Sequence, residues 1–227
     1  MVDPTRPTLG WNGALVPART TLAGRHVRLD ALDPKRDAPA LFAAAHETAP
    51  VDPELWAYMA YGPFPDLAAF RTWLWAQATG LDPVFYTLTP KGQPAAGLAS
   101  YLRIDAKGGA IEIGHLLFTP PLQRTPAATE AIYLLAAYAF EQLGYRRLEW
   151  KCNAANARSM RAAERYGFTY EGTFRQATVV KDKNRDTAWF AILDHEWPRL
   201  KTAFETWLDP ENFDAEGRQK RKLQDLR

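Results

Sequence analysis

The sequence predicts a single α/β domain of the α+β kind, with a mixed sheet flanked by helices. Three observations carry that reading. Strand-like runs at residues 84–89, 95–104 and 110–118 are separated by Lys91-Gly92 and Lys107-Gly108-Gly109, residues suited to tight reversals, which gives an antiparallel meander. A helix at 125–143 follows, with no polar side chain from Ala131 to Phe140 except the Tyr133 and Tyr138 hydroxyls, so it should lie deep against a sheet. A strand-helix-strand unit at 146–152, 155–166 and 168–173 then reads as a crossover, whose strands should run parallel.

The remaining elements frame this core. Residues 1–23, rich in Pro, Gly and Thr, read as an extended N-terminal arm, and 24–31 as a strand in which Val27 and Leu29 alternate with Arg28 and Asp30. The Ala/Leu-rich stretch 37–46 reads as a helix. A Pro/Gly-punctuated loop carrying Trp56, Tyr58, Met59, Tyr61 and Phe64 leads to Asp66, the N-cap of a helix reaching Ala78. Gly144 and Gly167 end the two later helices. A strand at 186–193 and a helix at 195–207 complete a domain spanning 24–208, and residues 209–227 form a charged C-terminal tail.

Composition excludes several function classes. Hydrophobic residues make up 47% and charged residues 24%, which suits a packed core rather than disorder. A net charge of +2 supplies no field that would select nucleic acid or an anionic membrane. The single cysteine, Cys152, rules out an internal disulfide, and His26, His46, His115 and His195 lack the spacing of a zinc site, so no metal is expected. No signal-like or membrane-spanning apolar run is present, which places the chain in the cytoplasm. The sequence is compatible with a homodimer without deciding it.

Chemistry concentrates after the third meander strand, in the run from His115 to Glu130. A strand ends, a short polar loop follows, and small residues open the buried helix. That arrangement offers backbone N–H groups and the positive end of a helix dipole to an anion. Pro126 removes no useful donor from a first turn, while Ala127 and Ala128 allow close approach. Arg124 can add a charge-assisted contact to a phosphate, and Thr125 and Thr129 hydroxyl donors. An ordinary capped helix with a solvated Arg124 fits the same residues.

Order and spacing of further motifs narrow this. Glu112-Ile-Gly-His, Leu122-Gln-Arg-Thr, Ala128-Thr-Glu-Ala131, Asn153, Asn156, Ser159, Gly167-Phe168, Glu171-Gly172, Phe174-Arg175 and Arg185-Asp186-Thr187 fall within residues 24–198. Together they resemble the GNAT (GCN5-related) superfamily of N-acetyltransferases, in the branch similar to the ribosomal-protein alanine acetyltransferases RimJ and RimL. The resemblance implies a strongly twisted sheet that splays after the 110–118 strand. It implies acetyl-CoA as co-substrate, with pantetheine against Leu116, Leu117 and Phe118, the pyrophosphate on Gln123 through Thr129, and Asn156 holding the pantetheine arm or thioester carbonyl. It also implies an amine acceptor, either a small molecule or a peptide or protein N-terminus.

Two departures from the family pattern stand out. Pro126 replaces the first glycine of the usual phosphate loop, which leaves that loop with no glycine and, on this reading, no residue at positive φ. Ala163 occupies the position where many members carry a tyrosine acid.

Glu112 is the candidate base, directly or through a water; a surface carboxylate or a partner for Arg103 is its other reading. His115 is the rival base, although strand alternation puts it on the opposite face unless a bulge intervenes. Ser159, three residues after Asn156, can protonate the leaving thiolate. Cys152 ends a core strand without an assignable partner and reads as an inert thiol. Deprotonating a lysine at pH 7 costs roughly 4–5 kcal/mol against about 1 kcal/mol for an α-amine, so weak base machinery suits an α-amine acceptor. A CoA-binding module without transferase activity and a ribosome- or RNA-associated factor are the competing expectations, the latter resting on Arg218, Lys220, Arg221 and Lys222.

Overall fold

A computed structural model describes residues 10–48, 52 and 54–227; the first nine residues of the predicted arm lie outside that range. Eight strands form one mixed sheet: β1 (Leu22–Ala23), β2 (Val27–Ala31), β3 (Val84–Pro90), β4 (Gly97–Asp105), β5 (Ala110–Phe118), β6 (Arg147–Asn153), β7 (Thr169–Val180) and β8 (Lys183–Leu193). Their spatial order is β1-β2-β3-β4-β5-β6-β8-β7. Every neighbouring pair is antiparallel except β5 and β6.

Five helices cover the sheet. α1 (Pro34–Phe42) and α2 (Leu67–Ala78) pack over one face, against Phe85, Leu98 and Leu117. α3 (Pro126–Ala137), α4 (Ala157–Tyr166) and α5 (Trp197–Leu208) pack over the other, where Tyr86, Tyr101, Ile111 and Ile113 are buried. Among α3 residues, Ala131, Ile132 and Leu135 are essentially inaccessible, in keeping with its apolar circumference.

Boundaries moved where capping or continuation outweighs periodicity. The first helix starts earlier than predicted because Asp33 caps it, accepting from the Lys35 and Arg36 amides. The α1 and α3 helices each continue into a π-helical turn, Ala43–Glu47 and Tyr138–Gln142, and Gly144 beyond the second holds φ +75°. The crossover does not place β7 beside β6, because β8 inserts between them. The β7–β8 hairpin is also longer than predicted. Its outer part is exposed on both faces and so carries no alternating pattern, and it turns through Lys181 and Asp182, both at positive φ.

A buried carboxylate ties the edge of the sheet to α3. Glu130, on the second turn of α3, accepts from the backbone N–H groups of Arg25 (2.8 Å), His26 (2.6 Å) and Val27 (2.9 Å) in the β1–β2 turn. A Cβ on Gly24 would stand 2.3 Å from that carboxylate, so the turn needs glycine there for space. We expect Glu130→Ala to destabilise the fold by about 3–5 kcal/mol, since it strands three amide donors. Gly24→Ala should act in the same direction, and urea denaturation checks both.

Candidate active site

The site begins where β5 and β6 part. Only three register pairs join them, Ala110↔Arg147, Ile111↔Leu148 and Glu112↔Glu149. β5 then runs on to Phe118 and β6 to Asn153 without pairing, so two strand edges face a widening fork. A segment with bare N–H and C=O groups can receive the amides of an extended ligand.

Glu112 sits at the base of the fork, 3% exposed. Its carboxylate meets the Arg103 guanidinium at 2.7 Å and the Lys151 ammonium at 3.1 Å, and Lys151 also holds Glu149 at 2.7 Å. Lys151 therefore staples β5 to β6 at the last paired position, with the Trp189 ring 3.7 Å from its nitrogen. Burial pushes the Glu112 carboxyl above its ordinary range, with Arg103 and Lys151 opposing.

Two β-bulges reshape this face. Between Ser100↔Gly114 and Leu98↔Leu117 the β5 strand carries one extra residue, and His115 takes φ +50°. Arg103 takes φ +48° at a matching irregularity in β4. The first bulge overturns the simple alternation: His115 turns onto the α2 side, the face of Glu112, with its ring 5.0 Å from Phe85 and stacked 5.6 Å from Tyr61. The Tyr61 hydroxyl lies 3.1 Å from His115 Nδ1. Burial, then Arg103, depresses the imidazole pKa to about 4, so the ring is neutral at pH 7.

The open end of the fork is framed by two helix starts. Thr125 caps α3, its hydroxyl accepting from the Ala128 amide. Among the described residues the amides of Arg124, Thr125 and Ala127 have no acceptor, and the Arg124 side chain is exposed and unpaired. Arg124 has φ +61°, so the loop does contain a left-handed residue, at a position where the sequence offered no glycine to supply it. Thr129 is buried and its hydroxyl accepts from Arg165 (3.1 Å). Gln123 donates to the Phe118 carbonyl (2.9 Å) and approaches Asp52, which also accepts from Arg158 of α4 (3.0 Å), so the two helix starts face each other across one side chain.

Asn156 caps α4 through Oδ1, which leaves its amide nitrogen free to donate. Ser159 Oγ accepts from the Trp150 indole (3.0 Å) and lies within hydrogen-bond reach of the Cys152 sulfur. Trp150 itself packs among Tyr166 and Phe168 in the core. Burial raises the Cys152 thiol pKa, against a hydrogen bond from Ser159, so it is held as the thiol. Ala163 is fully buried, and Tyr166 beside Gly167 is a packing residue.

These features fit acetyl-CoA: bare strand edges for the pantetheine amides, a helix start with free amides and an unpaired arginine for phosphate, and a free Asn156 amide for a carbonyl. Residues that the sequence did not single out also line the face. Lys151 is hidden inside an ordinary strand pattern, and Trp189 and Lys181 carry no motif. Lys181, at the hairpin tip, donates to the carbonyls of Trp56 (2.9 Å) and Gly62 (2.8 Å), while Tyr58 donates to the Ala155 carbonyl (3.1 Å). The aromatic loop thus spans from α4 to the β7–β8 tip.

The His115 environment fixes a pH dependence. Between pH 6.5 and about 4 the unfolded chain holds a proton on this imidazole that the folded chain lacks, so stability rises with pH through that window and is level above it. We expect wild type to lose up to about 3 kcal/mol on acidification through the window. His115→Gln should lack that component in urea titrations at several pH values.

The family model described as an acetyltransferase (GNAT) domain matches residues 26–169. YdaF of Bacillus subtilis (strain 168), provisionally named a ribosomal N-acetyltransferase, is 29% identical over 44% of this chain and 55% of its own length. A crystal structure of a GCN5-related N-acetyltransferase from Brucella melitensis superposes with a TM-score of 0.93 at 44% identity, covering 96% of this chain and 98% of the other. A GNAT-family acetyltransferase structure from Chromobacterium violaceum gives 0.80 at 44% identity, covering 87% and 98%. A sheet forked after Glu112, helix starts facing the fork and this likeness over nearly the whole chain establish that the protein belongs to the GNAT family of acetyl-CoA-dependent N-acetyltransferases.

Proposed function

We propose that the protein acetylates an α-amine, on a small amino compound or a peptide or protein N-terminus, by direct attack within a ternary complex. The observation that carries this reading is the buried Glu112 at the base of the fork, flanked by Arg103 and Lys151. Those cations disfavour an ammonium beside them, so a bound amine gives up its proton more readily. The α-amine of a peptide or protein N-terminus needs only about 1 kcal/mol of such help at pH 7. Glu112, its carboxyl raised by burial, accepts the proton directly or through a water.

The amine nitrogen bonds to the thioester carbonyl carbon as the carbon–sulfur bond breaks. Ser159 delivers a proton to the departing sulfur, and Asn156 donates to the carbonyl oxygen. Leu116, Leu117 and Phe118 offer backbone to pantetheine, while Gln123, Arg124, Thr125, Ala127, Ala128 and Thr129 form the phosphate loop. Thr125 and Thr129 contribute through backbone placement, since the Thr125 hydroxyl donates to the Leu122 carbonyl (2.7 Å) and the buried Thr129 hydroxyl is engaged with Arg165 and Tyr166. A second reading has its own observation: the bulge puts His115 on the face of Glu112, with Nδ1 engaged by Tyr61, so His115 can share the proton path.

Thiol release from acetyl-CoA, measured against peptides, amino acids, polyamines and aminoglycosides, tests the reading; turnover confined to the last two classes would overturn the α-amine assignment. Glu112→Gln should lower kcat about a hundredfold while leaving acetyl-CoA affinity within twofold. Unchanged turnover would hand the base role to His115. Arg124→Asn keeps a residue tolerant of the left-handed conformation and removes the charge, so it should raise the acetyl-CoA KM about tenfold with kcat little changed.

A further inference from the structure

The Arg185-Asp186-Thr187 segment of β8 has no part in the chemistry above, yet it carries a shielded donor without an acceptor among the described residues. Arg185 is half-buried, its Nε is shielded from solvent, and among the described residues that nitrogen has no hydrogen-bond partner. The obvious partner in sequence, Asp186, points to the other face, where its carboxylate accepts from the Gln176 amide (2.7 Å) and Asn184 (2.9 Å). Arg103, Arg147 and Arg158 each hold a carboxylate; Arg185 holds none among the described residues.

Its position ties it to the fork. Thr187 pairs with Asn153 and Trp189 with Lys151, so alternation along β8 puts Arg185 on the face of Lys151 and Glu112. Burial lowers its pKa, with Cys152 and Glu112 opposing and Arg103 adding to the drop. Trp189, on the same face, also has a buried indole N–H without a partner. A shielded guanidinium nitrogen without an acceptor is costly, and a bound anion that accepts from it removes that cost.

We propose that the accepted amine carries an anionic group, a carboxylate or a phosphate, and that Arg185 binds it. The acceptor is then an amino acid or a similarly acidic amine rather than a polyamine or an aminoglycoside. This inference rests on the transferase reading. It names one further specificity residue for that reaction, on the acceptor side of the fork.

Matched amines test it: α-amino acids against their own carboxamides, and phosphoethanolamine against ethanolamine, each followed by thiol release from acetyl-CoA. For wild type, kcat/KM should favour the anionic member about tenfold or more. In Arg185→Gln the preference should fall to within about twofold, through the acceptor KM and with the acetyl-CoA KM unchanged, and Arg185→Lys should keep part of it. Equal or better use of the neutral members by wild type overturns the proposal without any variant needing to fold. A rise in the acetyl-CoA KM alone in Arg185→Gln also overturns it, by assigning the arginine to the phosphates of CoA. Absence of thiol release with every amine would instead defeat the transferase reading, and the acceptor assignment with it.

Discussion

The molecule depends on a short parallel contact that ends abruptly. Three register pairs hold β5 to β6, and everything beyond them is an opening. Two strands that diverge leave amide and carbonyl groups without partners, a condition that a folded chain tolerates only where water or a ligand completes them. Lys151 stabilises the point of divergence by bridging Glu112 on one strand and Glu149 on the other. The ion cluster at the last paired position also supplies the charged floor of the site.

The reshaping of that floor rests on backbone strain. Non-glycine residues at positive φ cost about 1–2 kcal/mol each, and here Arg103, His115 and Arg124 all adopt it around the fork. The Arg103 irregularity accompanies its ion pair with Glu112, and the His115 bulge turns an imidazole into the aromatic group of Tyr61 and Phe85. The Arg124 conformation lets the phosphate loop turn without glycine. These contacts offset the strain locally, and each one serves the face on which the chemistry is proposed to occur.

The aromatic loop and the β7–β8 hairpin reinforce each other. The hairpin is exposed on both faces over much of its length, so its tip has little burial to hold it. Lys181 docks that tip on the Trp56 and Gly62 carbonyls, and Gly62 in turn leaves no room for a Cβ because Trp56 lies against it, 2.4 Å from where that atom would stand. Tyr58 secures the loop at its other side to α4. The wall that would meet an acceptor is thus assembled from segments distant in sequence.

The sequence by itself determined the elements and the family, because both rest on local signals. Apolar periodicity, turn residues, the Asp66 cap and the closing glycines Gly144 and Gly167 predicted the meander, the helix after Asp66, the buried helix and the helix after β6. The spaced motifs from Glu112 to Thr187 identified the GNAT resemblance. Only the tertiary structure decided which side chains share a face. Alternation is a strict rule until a bulge inserts one residue, and nothing in the residues around His115 announces that insertion. Insertion of β8 between β6 and β7, the Lys151 bridge and the unpaired Arg185 likewise depend on contacts between distant segments, to which local periodicity is blind.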